Sequence, residues 1–194
     1  MRVDLPPGLM EFAQEFSKHK TPARRTQGWE EQEHEVRGQG DVVDTIGTLM
    51  LWRFLAEHGV HCTYYLTGNG GDETDIRIHH QGRNFDINVK TSVWQPDDDS
   101  VLPSRGHIAV KGVEFEKALP TLYAQVIVHL TDHDGVPHVH LCNFIPVESS
   151  QFQRHALHRA TTEIPMSGGT KGLWIPSNDA APIRRLPEWI RKRR

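Results

Sequence analysis

The chain has 194 residues, enough for one domain with a real core, and its 37% apolar and 24% charged residues are an ordinary balance for a water-soluble fold. The net charge of −3 excludes a globally basic nucleic-acid binder, and two cysteines exclude a disulfide framework or a four-cysteine zinc site. No apolar run approaches the ~18 residues of a membrane span, and MRVDLPPGLMEFAQEF lacks the basic start and apolar centre of a secretory signal, so a reduced, cytoplasmic protein is expected.

In chain order, residues 1–40 read as a helical extension of a single domain covering 1–194. It holds an amphipathic helix over Pro7 to Lys18, a loop KTPARRTQG, and a charged, helix-permissive run WEEQEHEVR whose Trp29, Glu30, Glu33 and Glu35 form an exposed face. GQGD breaks that run, and Asp41 is placed to cap a new helix, because a short acceptor satisfies the free amides of a first turn. In the following DVVDTIGTLMLWRFLAEHG, Val43, Ile46, Leu49, Met50 and Phe54 recur at helical spacing, and Leu51 and Leu55 widen the stripe. Gly59 ends it, where a left-handed residue is needed.

After Gly59 the period shortens to two. VHCTYYL, TDIRIHH and FDINVKTSVW are expected strands, joined by the turns TGNGGDE and HQGRN. QPDDDSVLPSRG is a loop, and VKGVEFEKALPTLY a short helix or irregular. YAQVIVHL is apolar except for Gln125 and His129, the pattern of a strand covered on both faces, and HVHLCNFIP is its expected partner. Residues 148–160 read as a helix, and GGTKGLWIPSND as one more extended segment. The basic tail at 182–194, with RRLPEWIRKRR, reads as a solvated or frayed end or as a local nucleic-acid contact. The order amounts to a mixed α/β domain.

Chemistry concentrates on the third strand of the meander. Phe85, Ile87 and Val89 alternate with Asp86, Asn88 and Lys90, so the latter three share one face. The turn at 81–84 folds this strand back on its predecessor and brings Asp75 toward Asn88 and Lys90. Two oxygen donors beside an ammonium suit a hard cation such as Mg²⁺, which keeps several waters, while the lysine orients water or stabilises developing charge.

The segments IGTLMLWRFLAEHG, GDETDIRI and FDINVKTS, with the helix pattern Gly47, Leu51, Leu55, Gly59, resemble the core of the PD-(D/E)xK nuclease superfamily, in particular its Holliday-junction-resolvase and small restriction-like branches. The resemblance covers residues 41–94. It implies a restriction-endonuclease-like mixed β-sheet flanked by helices, and Mg²⁺- or Mn²⁺-dependent cleavage of DNA or RNA phosphodiesters. Asp75 is then the first metal ligand, Asn88 stands where the family has its second acid, and Lys90 is the catalytic lysine. The family's helix acid is Thr48 in this chain, with Asp44 one turn earlier as a substitute. Asp86 is a further candidate ligand. Arg105, His107 and Lys111 are candidate phosphate contacts, while the acids at 97–99 are expected to lie away from a bound backbone or to pair with a basic segment. Pairing into a homodimer is also implied by the resemblance.

Two other readings stay open. The Asn88 and Thr48 departures suit a nuclease-fold module that binds nucleic acid or a protein without cutting. Among 13 histidines, His138-x-His140 shares one strand face with His129 and His133 nearby, a zinc-like set, but linear spacing supplies no third ligand, and Cys142 reaches that face only as one option. His79 and His80 read as solvated residues at the hairpin turn.

Overall fold

The apolar stripe that marks the central helix is long enough to organise the whole domain. The computed structural model describes residues 1–25, 34–65, 74–93, 107–116, 118–130, 137–157, 164–165 and 171–193. Within these, helix α2 (His34–Glu57) is 24 residues long and buries Ile46, Met50, Leu51 and Leu55 almost completely. It runs through GQGD without a break. Asp41, expected as a cap, is inside the helix and 2% exposed, and its carbonyl accepts the Thr45 hydroxyl at 2.8 Å. Packing of α1 (Leu9–Arg25) alongside α2 outweighs the cost of about 1 kcal/mol per helical glycine. Gly59 ends α2 as expected, at φ +70°, with the Val60 amide donating to Leu55 O at 2.9 Å.

The meander follows as β2 (Cys62–Tyr64), β3 (Ile76–His80) and β4 (Arg83–Val93). Gln81 and Gly82 join β3 to β4 at φ 49° and 74°, a two-residue turn whose twist suits an antiparallel pair. The chain next forms β5 (His107–Lys111) and a 3-10 turn (Gly112–Glu116), then β6 (Leu122–His129), which lies parallel to β4, and β7 (His138–Pro146), antiparallel to β6. Helix α3 (Ser150–Leu157), strands β8 (Ile164–Pro165), β9 (Lys171–Pro176) and β10 (Ala181–Pro182), and helix α4 (Leu186–Arg191) complete the described chain.

Two sheets result. The larger runs β1-β7-β6-β4-β3-β2, where β1 is Arg2–Asp4, and β10 shares the outer side of β7 with β1. The smaller runs β5-β9-β8. One face of the main sheet, with Ile76, Ile78, Ile87, Val89, Leu122, Val126 and Val128, packs on α2 and α4. The other face, with Tyr123 and Ile145, packs on Ile108, Val110, Leu173 and Ile175 of the smaller sheet and on Phe152 of α3. The protein is thus a mixed α/β fold in which the main sheet is covered on both sides.

Three expectations need correction. The expected helical extension over 1–40 begins with a strand: the Met1 amine donates to Leu141 O, and the Leu141 amide to Met1 O, both at 2.9 Å. The segment from His107 to Lys111 is a strand, stabilised by β9, whose paired residues lie 61 to 69 positions further on and which local pattern does not reveal. The basic C-terminal segment is docked and not frayed through residue 193. Leu186 and Ile190 are 0% and 1% exposed, and Trp189 lies edge-on to Phe85 and Phe144. The apolar side of this short helix outweighs its cationic side, which leaves Arg184, Arg185, Arg191 and Lys192 at the surface.

Both cysteines are free. Burial pushes the Cys142 thiol up to about 11 and that of Cys62 likewise to about 11, from the ordinary 9.0. A rise of two units lowers the thiolate fraction roughly 100-fold. Iodoacetamide at pH 8 is therefore expected to alkylate both cysteines far more slowly in the native protein than in urea, and equal rates would contradict the burial.

Candidate functional site

Strand β4 divides its side chains between the two layers. Ile87 and Val89 enter the helix-side core, so Asp86, Asn88 and Lys90 point to the opposite face. The register with β6 sets Asn88 beside Tyr123 and Lys90 beside Gln125. Tyr123 and Gln125 meet the smaller sheet directly, and Asn88 and Gln125 are only 5% and 3% exposed.

Asp75 precedes β3 and is anchored at both ends. Its amide donates to Ile87 O at 2.9 Å, and its carbonyl accepts the Tyr65 amide at 2.7 Å. One carboxylate oxygen accepts the Val89 amide at 2.7 Å. The Asp75 carboxylate is thereby held against β4 at the Asn88–Val89 peptide, where backbone pairing from β3 has ended.

The Lys90 ammonium donates to both oxygens of Glu114, at 2.7 and 2.8 Å, and lies 5.3 Å from the centre of the Tyr123 ring. The Glu114 carboxylate also accepts the Lys111 amide at 3.0 Å. Glu114 is 3% exposed and Lys90 19%, so the pair is largely withdrawn from water. Glu114 was not among the residues expected from the sequence. It arrives on the 3-10 turn after β5, a strand that local pattern missed, and its one visible signal is an acid in an otherwise apolar VEF run.

The remaining expected residues are distributed unevenly. Asp86 is on the Asn88 face but makes a two-point contact with Arg77, at 2.7 and 3.1 Å. Asp44 bonds the hydroxyl of Thr91, which alternates to the helix side, so Asp44 stands across the sheet from Lys90. Thr48 is 4% exposed within the helix side. His107 and Lys111 are exposed at the two ends of β5, and both are tied to the site through their backbones: His107 O accepts the Gln125 amide group at 2.9 Å, and Lys111 N–H donates to Glu114. The other end of Gln125, Oε1, is buried and has no hydrogen-bond partner among the described residues. Arg105, the acids at 97–99, and Trp29, Glu30 and Glu33 lie outside the described residues, as does His133; the side chain of Glu35 is likewise outside them. His79 is half-buried, bonded to Asn84 at 2.9 Å and Thr63 at 3.2 Å, and is not simply solvated.

What gathers here is one carboxylate fixed by Val89, one amide at Asn88, one orphaned amide oxygen at Gln125, and an ammonium clamped by a buried acid. A hard cation prefers such oxygens, and an unpaired buried oxygen is costly unless something supplies its missing partner. These are the oxygen donor types that a hard divalent cation takes, while the Glu114 charge is offset by the Lys90 ammonium bonded to it. No protein-family model, curated protein or solved structure matches this chain.

Proposed function

We propose that the protein is a Mg²⁺- or Mn²⁺-dependent nuclease of the PD-(D/E)xK type, built on a restriction-endonuclease-like core and acting on DNA or RNA. The observation that carries the reading is that Asn88 and Lys90 share one face of β4, with Gln125 of β6 beside Lys90, the Asp75 carboxylate bonded to the Val89 amide, and Glu114 bonded to Lys90. The order of α2 and the β2–β3–β4 meander is also what the resemblance asks for. In this reading Asp75, Asn88 and Gln125 offer oxygens to the ion. When bound, such an ion polarises a phosphate oxygen and makes a coordinated water a better nucleophile. Lys90 meets the negative charge that develops on the phosphate, and Glu114 fixes where that ammonium sits. His107 and Lys111 hold the substrate backbone beside the site.

The test is incubation with supercoiled plasmid, single-stranded DNA and RNA in Mg²⁺ or Mn²⁺. Cleavage is expected, and Lys90→Ala or Asp75→Asn is expected to slow it by at least about 100-fold, the scale of losing one preorganised charge-stabilising group. No cleavage of any substrate, or unchanged cleavage by both variants, overturns the reading.

A second reading is favoured by one feature: Lys90 is already neutralised by Glu114, and Asn88 brings no charge. A nuclease-fold module that binds without cutting then uses the exposed Arg184, Arg185, Arg191 and Lys192 around α4. Its signature is metal-independent DNA binding that weakens steeply with salt.

A further inference from the structure

Strand β6 has a second polar interruption, His129, four residues beyond Gln125 on the same face and thus about 13 Å along the strand. The register puts His129 directly opposite His138 on β7, and His140 lies two residues on, on the same side. The ligating nitrogens of His129, His138 and His140 all lie within 4.8 Å of one another. The three residues are 2%, 0% and 8% exposed. Cross-strand register thus supplies the third ligand that linear spacing around His138-x-His140 does not show.

We infer that His129, His138 and His140 form a binding site for a zinc-class transition-metal ion, separate from the oxygen-rich site around Lys90. Zinc bonds to imidazole at about 2.0–2.1 Å in a tetrahedron, which sets neighbouring nitrogens about 3.3 Å apart. His129 Nε2 and His140 Nδ1 are 3.3 Å apart. The His129 and His138 rings are stacked, with centres 4.3 Å apart and planes at 8°, whereas His140 stands at 77° and 85° to them. An ion must lie in the plane of each ring that binds it, so two parallel rings cannot share one. Binding therefore tilts the His138 ring out of the stack, a side-chain rotation that leaves the strands in place. The donor set decides the metal: three imidazoles and no carboxylate select Zn²⁺, Co²⁺, Ni²⁺ or Cu²⁺ over Mg²⁺. Cys142 lies outside the set, since its thiol donates to His140 O at 3.3 Å.

The experiment uses full-length, untagged protein stripped with chelator, titrated with Co²⁺ and then Zn²⁺. One equivalent of Co²⁺ is expected to bind, with the strong visible absorption of a tetrahedral site, to be displaced by Zn²⁺, and to raise the melting temperature. His140→Asn and His129→Gln are each expected to weaken Zn²⁺ binding at least 100-fold, no less than the loss of an outer partner of a ligand costs. The pair His61→Ala/His79→Ala, which alters a histidine ring pair outside the triad, 5.5 Å apart, is the control and should change nothing. Wild-type protein that holds no Co²⁺ overturns the inference, and so does binding that survives both triad variants or vanishes in the control. If a triad variant fails to fold, the wild-type cobalt spectrum and stoichiometry decide alone. Nuclease activity is not read, so failure here leaves the proposed cleavage standing, and failure of cleavage leaves this site standing.

Discussion

Glu114→Ala is expected to destabilise the protein by about 3 kcal/mol, measured as a lowered urea midpoint at unchanged slope. The Glu114 carboxylate is 3% exposed and receives three hydrogen bonds, two from Lys90 and one from the Lys111 amide. Removing one partner of a desolvated pair leaves the other charge uncompensated, at about 3–5 kcal/mol for full burial. Lys90 keeps some contact with water, 19% exposure, which moves the expectation to the lower end. Lys90→Met should cost a similar amount by stranding the acid. The double variant Lys90→Met/Glu114→Ala should cost clearly less than the two single losses added together, because no buried charge is left. A Glu114→Ala penalty below about 1 kcal/mol would mean the pair behaves like a screened surface contact.

The second large effect is at Gly47. A methyl group there would overlap Thr91 Cγ2 and come within 3.5 Å of Val126 Cβ. Thr91 cannot simply rotate away, because its hydroxyl is bonded to Asp44. Alanine gains about 1 kcal/mol over glycine as a helix former, but overpacking a core contact costs about 1–3 kcal/mol and here also threatens that bond. Gly47→Ala is therefore expected to lose about 2 kcal/mol net, visible in thermal and urea melts. Thr91→Ser removes the colliding methyl and keeps the hydroxyl, so Gly47→Ala/Thr91→Ser should regain most of the loss. A Gly47→Ala protein as stable as the parent would refute the close approach of α2 to the sheet.

Gly47 also shows how the sequence can be read. It was visible as one member of a spaced pattern with Leu51, Leu55 and Gly59, and the structure supplies the separate reasons. Gly59 is needed for a left-handed backbone, and Gly47 for contact between helix and strand. Gln125 and His129 were equally visible, as the two polar residues in an otherwise apolar strand. Their meaning was not, because it depends on what the neighbouring strands bring: Lys90 beside one and His138 beside the other.

By itself the sequence determined the local items: the helical stripe from Val43 to Leu55, its glycine stop, the two-residue turn after His80, the alternation that sets Asn88 and Lys90 on one face, and the pairing of β6 with β7. The first four depend on residues within a few positions of one another, where periodicity and backbone preference act directly, and the last joins two strands consecutive in the chain. Only the tertiary structure decided that Glu114 clamps Lys90, that Asp44 stands on the far side of the sheet, that His129 completes a triad, and that the termini dock. Those outcomes rest on contacts between residues up to 140 positions apart, such as Met1 with Leu141, and they come from register and burial, which no local pattern encodes.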